Sequence, residues 1–162
     1  MENTETRIRP AAVRDIPMIL ELLAQINLIH YVGRPDIFKL GQKYNEAELT
    51  AIIGDDESPV LVATNAEDTC IGYSMCQLKL TKESHVLNAV KTLYIDDLCV
   101  SESQRGVGIG KKLYEASLQL ARERGCHNVT LNVWECNPAA KRFYEKIGMK
   151  VQKTTMEVVF TR

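Results

Sequence analysis

Between Leu93 and Gly110 the chain reads Leu-Tyr-Ile-Asp-Asp-Leu-Cys-Val-Ser-Glu-Ser-Gln-Arg-Gly-Val-Gly-Ile-Gly. An apolar run carrying two adjacent acids enters a turn with glycines at 106, 108 and 110, and a helical pattern begins at once. Strand, glycine turn and helix start in that order gather outward-pointing backbone N–H groups at the positive end of a helix dipole. Such a cradle binds phosphate or pyrophosphate without needing a lysine.

Two common phosphate loops fail against these residues. A P-loop requires Gly, four residues, then Gly-Lys-Ser/Thr. Counting back from Gly110-Lys111 puts Arg105 where the first glycine belongs, and Lys112 replaces the hydroxyl that would hold magnesium. The dinucleotide fingerprint GxGxxG would start at Gly106 and Gly108, but its third position is Lys111. Where an acid should reach the ribose, about twenty residues on, the chain reads Cys126-His127-Asn128.

The pattern that fits is Arg/Gln-x-x-Gly-x-Gly/Ala, met by Arg105, Gly108 and Gly110 with Gln104 in front. A second motif follows in Asn137-Pro138-Ala139-Ala140-Lys141-Arg142-Phe143-Tyr144-Glu145-Lys146-Ile147-Gly148-Met149. Asn137 suits a helix N-cap, Pro138 the first helical position and Gly148 the stop. Ala140, Phe143, Tyr144 and Ile147 share one face.

On these two motifs the chain resembles the GNAT superfamily of acetyl-CoA-dependent N-acetyltransferases. The second family pattern is Asn-x-x-Ala-x-x-Phe-Tyr-x-x-x-Gly-Phe, matched throughout except that Met149 replaces the last Phe. The resemblance is clearest over residues 60 to 160 and looser in the N-terminal third.

Bulk properties agree. A chain of 162 residues suits one domain, taken as 1–162, with a core of ordinary size. A net charge of -1 gives no basic field, so nucleic acid is not expected as a partner. No apolar run is expected to approach the ~20 residues of a membrane span, and Met1–Arg7 lacks the apolar core of a secretory signal. Cys70, Cys76, Cys99, Cys126 and Cys136 form no CxxC pair, which argues against zinc and redox motifs and suits buried thiols in a reducing, cytoplasmic setting. His30, His85 and His127 are too dispersed for a metal site.

Periodicity and punctuation predict a mixed α/β chain in the order β-α-α-β-β-β-α-β-α-β, with no internal repeat or linker. The first strand is Arg7–Pro10. Asp15 caps a helix running to Ile29, with Ile16, Ile19, Leu20, Leu23, Ile26 and Leu28 available to its buried side. Residues 30–45 are irregular, and Asn45 starts a short helix ending before Gly54. Strands follow at 59–63, 70–79 and 91–100. A helix at 108–124 carries Ile109, Leu113, Ala116 and Leu120 inward, with Gly125 as its stop. Further strands are expected at 129–134 and 154–160.

That order is the GNAT arrangement, and the resemblance implies a central twisted mixed sheet with flanking helices, splayed between strands 91–100 and 129–134. Coenzyme A would lie in the gap, its pyrophosphate on the loop Gln104, Arg105, Gly106, Val107, Gly108, Ile109, Gly110 and Lys111. Its pantetheine would pair with backbone of Leu98, Cys99 and Val100, near Asn137, Ala140, Phe143 and Tyr144. The resemblance also implies that Tyr144 protonates the departing thiolate, and that dimers through C-terminal strands are common.

An amine acceptor arrives mostly as ammonium, with a pKa near ~10.4, and must lose a proton. Asp96 and Asp97 sit beside the expected thioester, and strict strand alternation would put them on opposite faces. Asp96 is favoured as the base, Asp97 being the alternative. The acids would equally serve to bind a substrate cation. Cys99 and Cys136 are weighed as acyl carriers and set aside for want of an adjacent histidine.

The resemblance implies an acceptor site near His30, Tyr31, Arg34, Asp36, Phe38 and Lys39. The favoured acceptor is a small primary amine or amino-acid derivative. A protein lysine or N-terminus, transfer of a longer acyl group, and an acetyl-CoA sensor without turnover stand as alternatives.

Overall fold

The computed structural model describes residues 5–160. Residues 1–4, part of the N-terminal stretch read above for a signal, and residues 161–162 lie outside it. Five strands form one sheet in the order β1 (Arg7–Pro10), β2 (Val60–Thr64), β3 (Cys70–Thr81), β4 (Val90–Val100) and β5 (Asn128–Leu131). Neighbours run antiparallel except β4 and β5, which are parallel and joined by a helical crossover. Helices α1 (Ile16–Gly33) and α2 (Glu46–Ile53) precede β2, α3 (Ile109–Glu123) links β4 to β5, and α4 (Pro138–Lys146) follows β5.

Local chemistry sets the helix starts. The Asn45 side chain accepts from Glu48 N–H at 2.9 Å while Glu48 reaches back to Asn45 N–H at 2.8 Å, a reciprocal cap that begins α2. Asn137 accepts from Ala140 N–H at 3.3 Å ahead of Pro138, which begins α4 as expected. Asp15 stands at the N-cap position of α1 as expected, but its side chain makes no cap hydrogen bond to the helix. Its carboxylate is buried and held by Arg9 at 2.8 and 2.9 Å and by Ala12 N–H at 2.8 Å, tying β1 to the helix entrance. Burial works to raise its pKa, and the Arg9 and Ala12 hydrogen bonds outweigh that and hold it below the usual carboxylate range.

The two faces of the sheet are covered separately. Ile16, Ile19, Leu22 and Leu23 of α1 meet Leu49, Val62, Tyr73, Met75 and Cys99 on one side. On the other, Ile109 and Leu113 of α3 meet Ala63 and Ile71, while Tyr114 and Ala121 meet Cys76, Leu93 and Ile95. Each fully buried Leu or Ile contributes about 1.5–3 kcal/mol.

Several expectations change. Helix α1 runs on to Gly33, and Leu28 faces solvent. With the turn before it, Val13–Gly33 has the length and apolarity of a membrane span, contrary to expectation; within it Ile16, Ile19, Leu22 and Leu23 are buried against the sheet. On α3 the fully covered positions include Tyr114, Ser117 and Ala121, with Ala116 and Leu120 only half-buried. Strand β5 stops at Leu131 instead of Trp134. Residues 154–160, expected as a strand, carry no regular structure and are exposed.

Candidate active site

The sheet opens between β4 and β5. Their pairing covers Thr92 to Ile95 against Asn128 to Leu131 and ends there, so among the described residues β4 from Asp96 to Val100 has no strand partner on that side. The parting is the splay expected from the sequence.

Register decides which backbone groups face the gap. Gly72 opposes Val100, and Ser101 N–H donates to Ile71 C=O at 2.9 Å, so Gly72 and Val100 are a pair that exchanges no hydrogen bonds. Two residues back, Leu98 opposes Ser74 in the same way. The N–H and C=O of Leu98 and Val100 therefore point into the gap, while those of Cys99 point at β3. The Val100 C=O is already met by Gln25 Nε2 at 3.1 Å and Arg105 Nε at 3.3 Å. Of the backbone expected to receive pantetheine, the Leu98 C=O and the Val100 N–H face the gap without a strand partner among the described residues, while the Leu98 N–H also leans on the Asp97 carboxylate. Cys99 is turned away, its thiol buried towards Leu22 C=O and pushed up to about 12 by burial, which removes it as a nucleophile.

The two acids share a face. Met75 opposes Asp97 and Cys76 opposes Ile95, leaving Asp96 as the extra residue of a β-bulge. Leu93 and Ile95 face α3, but beyond the bulge Leu98 and Val100 do so, and Cys99 faces α1. The phase slips by one residue, so Tyr94, Asp96, Asp97 and Cys99 all lie on the α1 side. Alternation alone put the acids on opposite faces, and the bulge overturns that.

Their surroundings differ. Asp96 Oδ2 receives Lys43 Nζ at 2.7 Å and Tyr44 OH at 3.1 Å, both from the segment before α2. Asp97 Oδ2 receives the hydroxyl of Tyr73, a wholly buried side chain, at 2.8 Å. Burial pushes the Asp97 carboxyl up to about 6, against the lowering effects of Tyr73 OH and the Lys43 charge. Burial likewise raises the Tyr144 hydroxyl well above its usual value, with the Asp97 and Cys99 charges acting in the same direction. Tyr144 is braced by Phe143 at 5.1 Å and Tyr114 at 6.5 Å between ring centroids.

Asp96, Asp97, Leu98, Asn137, Ala140 and Tyr144 line a cavity of about 670 Å³. His30, Phe38 and Lys39 line it too, whereas Tyr31, Arg34 and Asp36 do not. Arg34 is spent on an ion pair with Asp36 at 2.8 Å and on Glu157 of the C-terminal segment. Residues missed in the sequence are Lys43, Tyr44, Tyr73, Tyr94 and Trp134, brought in by loops and strands that carry no motif. Phe38 stacks on His30 at 5.0 Å and meets the edge of Trp134 at 5.1 Å, giving an aromatic wall.

At the opposite end of the gap, Gly106 and Gly108 have φ of 84° and 85°, the left-handed region, and Gly108 is the N-cap of α3. A Cβ on either would meet nothing within 4 Å, so the turn is open above its backbone. At Gly110 a Cβ would come 3.3 Å from Phe143, which is how α4 approaches α3. Gln104, Arg105, Val107 and Lys111 rim the turn; Ile109 is buried, so only its N–H is available. These donors and the open β4 edge fit an extended ligand carrying a diphosphate at one end and amide groups along its length. Among the described residues no group of three or more His, Cys, Asp or Glu side chains could hold a metal.

A mixed sheet splayed beside a glycine turn, with carboxylates at the gap, is the arrangement that the two sequence motifs led one to expect. Residues 26–149 match the model of the Acetyltransferase (GNAT) family. The chain belongs to that family and is an N-acetyltransferase. It is 28% identical over 156 residues to glucosamine 6-phosphate N-acetyltransferase 1 of Oryza sativa subsp. japonica, covering 95% of this chain and 87% of that one. Peptidyl-lysine N-acetyltransferase YjaB of Salmonella typhimurium is 36% identical over 107 residues, 65% of this chain and 61% of the other. A mutant of the BH1408 protein from Bacillus halodurans superposes with a TM-score of 0.92 at 33% identity, covering 96% of this chain and 99% of that one.

Proposed function

We infer that the chain transfers an acetyl group from acetyl-CoA to a small primary amine by direct attack, with Asp97 as proton acceptor. Acetyl-CoA supplies the activated acyl thioester when bound. The observation that carries the reading is Asp97 itself. It is a shielded carboxylate with a pKa near 6, on the open edge of β4, in one cavity with Tyr144.

The glycine turn from Gln104 to Lys111 would hold the diphosphate through backbone N–H groups, and Leu98 with the Val100 N–H would hold the pantetheine arm. Asp97 binds the acceptor ammonium and takes its proton. A carboxylate near pKa 6 is mostly ionised at neutral pH, yet a stronger base than an ordinary aspartate. The Leu98 N–H, which leans on the ionised Asp97 carboxylate, is released as Asp97 takes the proton and would then meet negative charge developing on the carbonyl oxygen. Tyr144 keeps its proton throughout the working pH range and hydrogen-bonds the leaving sulfur, which departs as the CoA thiol by taking the second proton shed by the acceptor nitrogen. Asp96, engaged by Lys43 and Tyr44, orients this side of the cavity and is a poorer candidate for the base.

The C-terminal segment 151–160 supports assembly as a homodimer. It is exposed along its whole length, with Met156 at 91% and Phe160 at 87%. Among the described residues β5 pairs with β4 alone, so its outer edge is free to take a strand from a second copy. Five free thiols suit a reducing, cytoplasmic compartment.

Thiol release from acetyl-CoA against small amines, amino-acid derivatives and a lysine peptide tests the function. Release with small amines is expected. Tight binding of acetyl-CoA without release for any amine would make the chain a sensor instead.

A further inference from the structure

The β4 bulge gives the cavity two carboxylates on one face, which would suit an acceptor with two cationic groups. Lys43 changes that. Its ammonium lies 2.7 Å from Asp96 Oδ2, and Tyr44 OH meets the same oxygen at 3.1 Å. The side chains are partly shielded, Lys43 at 42% and Asp96 at 15% exposure, so the pair is held more firmly than a fully exposed one. Burial disfavours the Lys43 ammonium, but the Asp96 hydrogen bond outweighs it and raises its pKa, keeping it charged.

Among the described residues the rest of the lining carries no further negative charge. Lys39 adds a second cation on the same segment. That segment is pinned by Asn27 Nδ2, which donates to Lys39 C=O at 2.8 Å and Gly41 C=O at 3.0 Å. His30 is lowered by burial and by Lys43, so it is neutral at pH 7, and it continues into the Phe38 and Trp134 wall. One ammonium can be met, at Asp97, and beyond it lie neutral rings and lysines.

We propose that Lys43 is a specificity-determining residue. By occupying Asp96 as a built-in ammonium, it leaves Asp97 as the one carboxylate open to an acceptor, so the cavity takes monoamines with an uncharged body and turns away diamines and polyamines. The assignment rests on the acceptor reading of this cavity. It concerns charge, and arginine at 43 should preserve it.

The test compares pentylamine with cadaverine, which differ by a second ammonium. Their binding is measured by calorimetry on the free protein and on the protein saturated with CoA, and their KM and kcat are measured with acetyl-CoA. The wild type should bind pentylamine about tenfold more tightly than cadaverine. Lys43→Met should shift the cadaverine-to-pentylamine binding ratio about tenfold towards cadaverine, mainly in KM, while Lys43→Arg keeps the wild-type ratio. A ratio unmoved by Lys43→Met overturns the assignment, as does equal binding of both amines by the wild type or binding of neither. If that occurs while pentylamine is turned over, acyl transfer still stands. If binding shifts as stated but no thiol is released, the assignment holds and the transfer reading falls.

Discussion

The Tyr73 hydroxyl donates to Asp97 Oδ2 over 2.8 Å, from a side chain with no exposed surface on the strand next to β4. It is the one protein hydroxyl that stabilises the charged form of a carboxylate otherwise pushed up by burial. Tyr73→Phe should therefore raise the Asp97 pKa above 6 and move the acidic limb of the kcat profile to higher pH by about one unit. The pH–rate profile of the variant checks it. An unmoved limb would mean that Asp97 is not the group being read.

Asp97 also carries a stability signature. Its folded pKa of about 6 lies above the ordinary value near 3.8, so its favourable contribution is complete below about pH 4 and is lost as pH rises through 6. Above pH 6 its ionised form costs on the order of 2–3 kcal/mol. Asp97→Asn keeps an acceptor for Tyr73 and removes the charge. At pH 8 its melting temperature should rise by roughly 4–8 °C, and at pH 4 the gain should vanish. Thermal unfolding at the two pH values decides it.

At the glycine turn, Gly108→Glu should abolish CoA binding, because it combines a strained left-handed backbone with negative charge against phosphate. Gly108→Ala carries the strain alone, and a Cβ there meets no atom within 4 Å, so it should weaken binding by about tenfold or less. Calorimetry on both variants separates charge from strain.

Tyr144→Phe should lower kcat by roughly ten- to hundredfold with CoA affinity nearly unchanged, since its role is confined to the leaving sulfur. Equal loss of affinity and rate would assign it to binding instead.

Removing residues 153–162 should convert the dimer to a monomer, seen by light scattering on a size-exclusion column. A full-length chain that is already monomeric would refute the assembly.

The motif-bearing parts of the site were legible because each needs a residue type at a fixed spacing. Gly106 and Gly108 permit the turn, Gly110 lets α4 approach α3, Asn137 and Pro138 start α4, and Phe143 with Tyr144 falls on its packed face. What could not be read was the phase of β4. Period-two alternation holds until the bulge at Asp96, and no residue there announces an inserted position, so the two acids were assigned to opposite faces. The partners of those acids were equally hidden. Lys43 and Tyr44 come from a segment without periodicity, and Tyr73 reads as an ordinary strand aromatic. The 154–160 segment has the right composition but no strand beside it among the described residues, which is why apolar alternation misled there.

Thiol release from acetyl-CoA with pentylamine, comparing the wild type and Asp97→Asn at pH 7.5 (roughly 1.5 units above the carboxyl's pKa of about 6), tests the account most directly. Steady release by the wild type, a drop of about hundredfold or more in the variant, and equal CoA affinity are what it predicts. Undiminished release by Asp97→Asn, or none from a wild type that binds CoA, would contradict it.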